Sequence, residues 1–214
     1  MPFDLWLTFV GASLAILLLP GPTTMLIVGY AMGAGRRAAF GALGGVLAGD
    51  LVALALSAAG LGAVLSGSAT LFTVMKVAGA AYLIWLGIKM WRAPVDPHVV
   101  DAAEAAATAD RRHGQTGKRA LHGFVVTALN PKLIAFFVAF LPQFMTPNAP
   151  VLDQLLVLAP TFLAISVITN SAYALAASAA RDRLRSPRAL TIINRVGASC
   201  LIGAGVLTAA MRRA

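Results

Sequence analysis

Apolar residues run through this chain in stretches too long for strands and too uniform for one face of a surface helix. Six such runs stand out, at residues 3–30, 38–65, 71–90, 121–145, 152–180 and 190–211. Each is long enough for a helix to cross a hydrocarbon core of about 30 Å. The pattern predicts an all-α integral membrane protein with six transmembrane helices. The one long polar stretch, 93–117, sets Asp96, His98, Asp101, Glu104, Asp110 and His113 among alanines with no period able to build a core. It reads as a linker, taken as 93–120, between a first three-helix unit, 1–92, and a second, 121–214.

Against this background the informative positions are the interruptions: Pro20-Gly21-Pro22, Asp50, Asn130-Pro131-Lys132 and Asn170. Asp50 lies 13 residues beyond Arg37, Lys132 lies 13 beyond Arg119, Pro22 lies 14 before Arg36 and Asn170 lies 11 before Arg181. At about 1.5 Å of rise per residue, all four sit roughly 16 to 21 Å from a basic cluster, near the middle of a bilayer. Charge and broken helix at that depth mark a pathway for a solute.

Proline lacks a backbone donor and clashes with the preceding turn, so both proline sites should unwind a helix and free carbonyls and amides. In lipid such groups survive only where they line a cavity or are covered by protein; the alternative is a kink that aids packing. The half-helix opening at Pro131 points its amide end to the middle, with Lys132 in its first turn, an arrangement suited to a carboxylate. An ionised Asp50 at the centre of a helix costs roughly 2.5 to 3.5 kcal/mol. It should therefore be protonated, paired with Lys132, or open to a cavity. Gly41, Gly45 and Gly49 share a face of the same helix and read as a close-packing surface, as do Gly79 with Gly87 and Gly197 with Gly205. Such a face serves contacts within one chain and between copies equally, which leaves a homo-oligomer open.

The two units resemble each other. Lys76 to Gly87 aligns with Arg195 to Gly205 with one gap, and setting Pro22 on Pro131 brings Asp50 within about one residue of Asn170. Three helices per unit is an odd number, so the copies insert with opposite orientation as an inverted repeat. Residues near the resulting two-fold axis converge at mid-depth. Tyr173, one turn beyond Asn170, joins the candidates on that logic.

Composition agrees: 59% hydrophobic and 12% charged residues, with a mean hydropathy of +0.82, cannot cover a soluble surface. The net charge of +9 raises a nucleic-acid partner, which its distribution excludes. Arg36 and Arg37, the basic residues from Lys89 to Arg119, and Arg181, Arg183, Arg185 and Arg188 all fall on one side of a six-span arrangement. By the positive-inside rule that side is cytoplasmic, the linker with it, and both termini lie outside. The start of the chain has no basic residues ahead of its apolar run, which continues past the prolines to Tyr30, so it reads as a membrane helix and not a leader.

Other chemistries fit poorly. Cys200 is the single cysteine, which excludes paired-thiol chemistry within one chain. His98 and His113 read as solvated, as does His122 at a helix edge, so an intramembrane hydrolase lacks its buried base. One membrane carboxylate without histidine, cysteine or further acids is a weak metal site. No cofactor is implied.

Pro20-Gly21-Pro22, Gly49-Asp50, Lys76 to Gly87, and Gly123-Phe124 through Asn130-Pro131-Lys132 to Phe140-Leu141-Pro142-Gln143-Phe144 closely resemble the LysE/RhtB family of amino-acid exporters. The resemblance covers nearly the whole chain except the linker. It implies a non-enzymatic secondary carrier of the bacterial inner membrane that expels amino acids or close derivatives, driven by the proton gradient. The substrate-binding set it implies, with repeat logic adding the last two, is Pro20, Gly21, Pro22, Thr23, Asp50, Asn130, Pro131, Lys132, Asn170 and Tyr173, with Asp50 also carrying the coupled proton. A zwitterion needs an anion for its ammonium and a cation or amides for its carboxylate, and Asp50 with Lys132 and its half-helix supplies both. An exporter of a small cation or another small metabolite is the alternative.

Overall fold

Helix breakers and small residues dictate where the segments begin and end. The computed structural model describes residues 3–67, 69–92, 116–145 and 150–179, together with helical residues at 191–192, 195–196, 198–199, 202–203 and 206. Among them every regular element is helical. The chain opens with α1 (Phe3–Leu18) and α2 (Pro22–Gly33), separated at Pro20 and Gly21 by a bend of 55°. Pro22 takes the first position of α2, where its missing N–H has no partner to lose. Gly35, at φ 85° in the left-handed region, turns the chain into α3 (Arg36–Gly67). Then follow α4 (Ala69–Arg92), α5 (Thr116–Ala128), α6 (Pro131–Phe140), a 3-10 turn (Leu141–Phe144) and α7 (Val151–Ala179).

The second break, between α5 and α6, bends by 48°. Both breaks fall on the proline sites. Among the described residues two helical stretches, Arg36–Gly60 and Val151–Ala179, are long and apolar enough to cross a membrane, and up to four spans result if each bent pair counts as one. Pro160 lies inside α7 without ending it. Helix α5 starts at Thr116, inside the stretch 93–120 read as linker. The reason is tertiary: Thr116, Arg119 and Ala120 pack on the glycine face of α3. Residues 93–115 lie outside those described, and so do Gly197 and Gly205.

The long helices are crossed reciprocally: α3 packs on both halves of the second broken pair, α5 and α6, and α7 packs on both halves of the first, α1 and α2. The α3–α5 seam is the tightest. A Cβ on Gly45 would collide with the backbone of Ala120, one on Gly49 would lie 2.8 Å from the Phe124 carbonyl oxygen, and one on Gly123 would lie 2.5 Å from that of Ala42. The glycines therefore pack, as their spacing suggests. Gly87 of α4 likewise approaches Ala198 and Ile202.

Two apolar clusters flank the centre. One is phenylalanine-rich, with Phe9, Phe136, Phe137, Phe140, Phe144 and Phe162 around Ala53 and Leu54. The other gathers Ile27, Tyr30, Met32, Ala42, Val46 and Ala174. On α3, Asp50 falls between Val46 of one cluster and Ala53 of the other; on α7, Asn170 falls between Ile165 and Ala174. The outside is apolar too, with Leu56, Leu152, Leu156 and Ile168 each at least 65% exposed. Polar groups inside and aliphatic ones outside suit a lipid solvent, not water.

The seam makes a test. Gly45→Leu should lower stability by roughly 3 kcal/mol, because the helices must separate. Gly44→Ala adds a methyl with nothing within 4 Å and should hold stability or raise it by up to about 1 kcal/mol, since alanine is the better helix former. Thermal unfolding of the two variants in detergent compares them, and equal midpoints would contradict the packing.

Candidate functional site

The site begins with a debt left by Pro20 and Pro22. Helix α1 ends in the interior, so its last carbonyls have no amides to accept from. Lys132, 6% exposed, reaches across from the second break. Its Nζ donates to the carbonyls of Ile16 (3.0 Å) and Leu19 (2.8 Å). This is the negative end of α1, where a cation is favoured. Tyr173 of α7 donates its hydroxyl to the Leu18 carbonyl at 2.5 Å. Gly21 makes room for the lysine, since a Cβ there would come within 3.0 Å of Nζ.

The second break is closed by Asn130. As the residue before Pro131 it is extended, and its Oδ1 accepts from the Lys132 amide at 3.0 Å. Its Nδ2 donates to the Thr23 hydroxyl at 3.1 Å, which in turn lies 3.1 Å from the hydroxyl of Thr127. These bonds cross between the two breaks.

Asp50 is 1% exposed. Its Oδ2 accepts from the Ser166 hydroxyl at 2.6 Å, a length usual for a hydroxyl on a carboxylate. Asn170 holds that serine, donating to its hydroxyl at 3.1 Å and to its carbonyl at 2.9 Å. The other carboxylate oxygen, Oδ1, is buried with no hydrogen-bond partner. The hydrogen bonds of Asp50 and Lys132 all go to other groups, so the two charges are neighbours on one wall and not a closed pair.

That wall belongs to a cavity lined by Leu17, Thr23, Thr24, Asp50, Asn130, Lys132, Leu133 and Asn170. About 10 Å³ of it is open to the centre of a water molecule, room for roughly one water. An acid with one oxygen unpartnered, a lysine and hydrogen-bonding side chains thus line one small chamber between two apolar clusters.

Of the residues singled out in the sequence, the structure brings Thr23, Asp50, Asn130, Lys132 and Asn170 to the cavity. Pro20, Gly21, Pro22 and Pro131 shape the breaks without lining it, and Tyr173 acts from outside on the end of α1. Sequence reasoning missed Ser166, whose signal was its place one turn before Asn170, and it missed Thr24, Thr127, Leu17 and Leu133. His122 is exposed, as its place at a helix edge suggests, and in addition its Nδ1 lies 3.0 Å from the Tyr30 hydroxyl with the rings edge to face.

Comparison with known proteins follows the same outline. The model of the LysE type translocator family matches residues 14–212. Over 214 residues, the whole of both chains, the protein is 33% identical to a homoserine/homoserine lactone efflux protein of Salmonella typhi. It is 32% identical over 209 residues, 98% of each chain, to an uncharacterized membrane protein of Vibrio cholerae. A leucine efflux protein of Enterobacter sp. (strain 638) is 33% identical over 145 residues, 66% of this chain and 64% of that one. No solved structure matches. With both breaks and the whole polar layer inside the matched region, the chain belongs to the family of LysE type translocators.

Proposed function

We propose that this protein is a secondary transporter of the bacterial inner membrane that exports amino acids or close derivatives by alternating access around the cavity between its two breaks. The observation that carries the reading is the unpartnered oxygen of Asp50 in a chamber shared with Lys132. A zwitterion supplies an ammonium for the first and an anion for donors such as the second. The relatives named for efflux of homoserine, its lactone and leucine support the substrate class and the outward direction. Asp50 is the one carboxylate among the cavity residues, and it carries the coupled proton in exchange for the ammonium.

Six spans in two inverted repeats, 1–92 and 121–214, form the carrier. The reciprocal crossing of α3 and α7 over the opposite broken pairs supports this symmetry. The distribution of basic residues supports a cytoplasmic stretch 93–120 and both termini outside. Protons and the amino acid are its partners, and the carrier performs no covalent chemistry.

The charges can be separated by a mutant cycle. Asp50→Asn should reach the membrane normally, because it removes a buried charge, yet lose efflux by roughly thirtyfold or more, the scale of a lost buried charge contact. Lys132→Met should lose both stability and efflux, since it strands the carbonyls of α1. Abundance and labelled amino-acid efflux are measured for the wild type, both single variants and the double variant; recovery of efflux in the double variant would reduce the two charges to a structural pair.

Orientation has its own test. In a Cys200→Ser background, single cysteines within 93–115 should react with an impermeant thiol reagent only after the membrane is opened, whereas one at Pro147 should react in intact cells. Labelling of 93–115 in intact cells would invert the topology.

A further inference from the structure

The two breaks are not equivalent. At α6 every early amide is engaged: Asn130 takes the Lys132 amide on its side chain and those of Leu133 and Ile134 on its carbonyl, while Pro131 has none. At α2 the matching cap is Gly21, which has no side chain, and no cap hydrogen bond forms. Its carbonyl accepts from Met25 at 2.8 Å, but among the described residues nothing accepts from the amides of Thr23 and Thr24. Both threonines line the cavity that Asp50, whose Oδ1 is buried without a partner, lines as well. The Lys132 ammonium stands beside Gly21.

We infer that the carboxylate of the exported amino acid, or the ester carbonyl of its lactone, binds at the start of α2 on the free amides of Thr23 and Thr24 beside Lys132, while the substrate ammonium takes the open oxygen of Asp50. This rests on the export reading and assigns the acceptor end of the substrate to the first break, not the second. Amides at a helix start are donors with a favourable dipole behind them. They receive a carboxylate oxygen and a neutral carbonyl oxygen with the same geometry. The lysine, already shared between two carbonyls, adds charge without being the sole anchor. The site therefore selects an amino group next to a carbonyl carbon, and an amine lacking that carbon has nothing to give the amides.

Proteoliposomes carrying labelled homoserine test this. Gly21→Asn gives α2 the cap that α6 has; its φ of −145° and ψ of −175° are extended backbone open to asparagine, and the atoms it crowds are the flexible tip of Lys132. At wild-type abundance it should raise the half-saturation concentration for homoserine and its lactone about tenfold, the scale of one lost charge-assisted hydrogen bond. Gly21→Ala crowds the lysine similarly but offers no oxygen, so the excess of Asn over Ala measures the sealing of the amides. On the wild type, homoserine lactone should compete with homoserine, whereas the amine left when the carboxyl is replaced by hydrogen should not. Unchanged half-saturation in a well-inserted Gly21→Asn, or competition by the bare amine equal to that of homoserine, overturns the inference; if Gly21→Asn fails to insert, the competition decides. Wild-type flux of no amino acid overturns the export reading and this inference with it, while normal homoserine flux with either adverse result overturns the inference alone.

Discussion

A membrane segment that stops being helical inside an apolar interior leaves carbonyls and amides with no water to take them, and meeting that demand organises the rest of this protein. The heaviest share falls on the end of α1. Its carbonyls are met by an ammonium from the opposite break and a phenol from α7. The asparagine that starts α6 bonds in turn to a threonine of α2. The carbonyls at the first break are therefore met by the other half of the chain, while Asn130 caps the second break from within its own half. The polar layer follows from the same need. Once Lys132 is drawn to the centre, Asp50 offsets its charge without neutralising it by contact, and Ser166 and Asn170 hold the aspartate by one oxygen only.

How far this was legible depends on which groups have letters in the sequence. Proline announces its missing donor wherever it stands, so both breaks were placed from Pro20, Pro22 and Pro131. Asp50, Asn130, Lys132 and Asn170 declared themselves by polarity at a depth where polarity is costly. Carbonyls, by contrast, belong to every residue. Nothing distinguished those of Ile16 and Leu19 as the resting place of Lys132, and a direct pair with Asp50 stood among the alternatives. Ser166 and Thr127 escaped because hydroxyls are common in membrane helices and usually bond their own turn. The engagement of His122 depended on Tyr30, 92 positions away. The early start of α5 depended on a surface of α3 that only the fold brings near.

Where the exterior is concerned, the sequence and the structure speak the same language. Leucine, isoleucine and valine cover the outer faces of α3 and α7, and the clusters that seal the polar layer above and below are built from aromatic rings on one side and small alanines with Ile27 and Val46 on the other. The aromatic seal joins α1, α6, the 3-10 turn and α7, with Phe9 edge-on to Phe144 at 5.2 Å and Phe137 edge-on to Phe162 at 4.8 Å. Four separate segments thus meet in one cluster of rings.

The glycine seam between α3 and α5 sets where the bundle bends most easily. With backbone against backbone at Gly45, Gly49 and Gly123, those two helices have no side-chain layer between them to shear, and they travel as a single strut. Any bending of the bundle would then cost least at residues 19–21 and 129–130, where the helical hydrogen-bond ladder is already interrupted. The strut holds Asp50 and Thr127, while Thr23 and Lys132 ride on the hinged arms. Such bending would change the distance between Asp50 and Lys132, so that the spacing of the two charges and the shape of the protein become one variable.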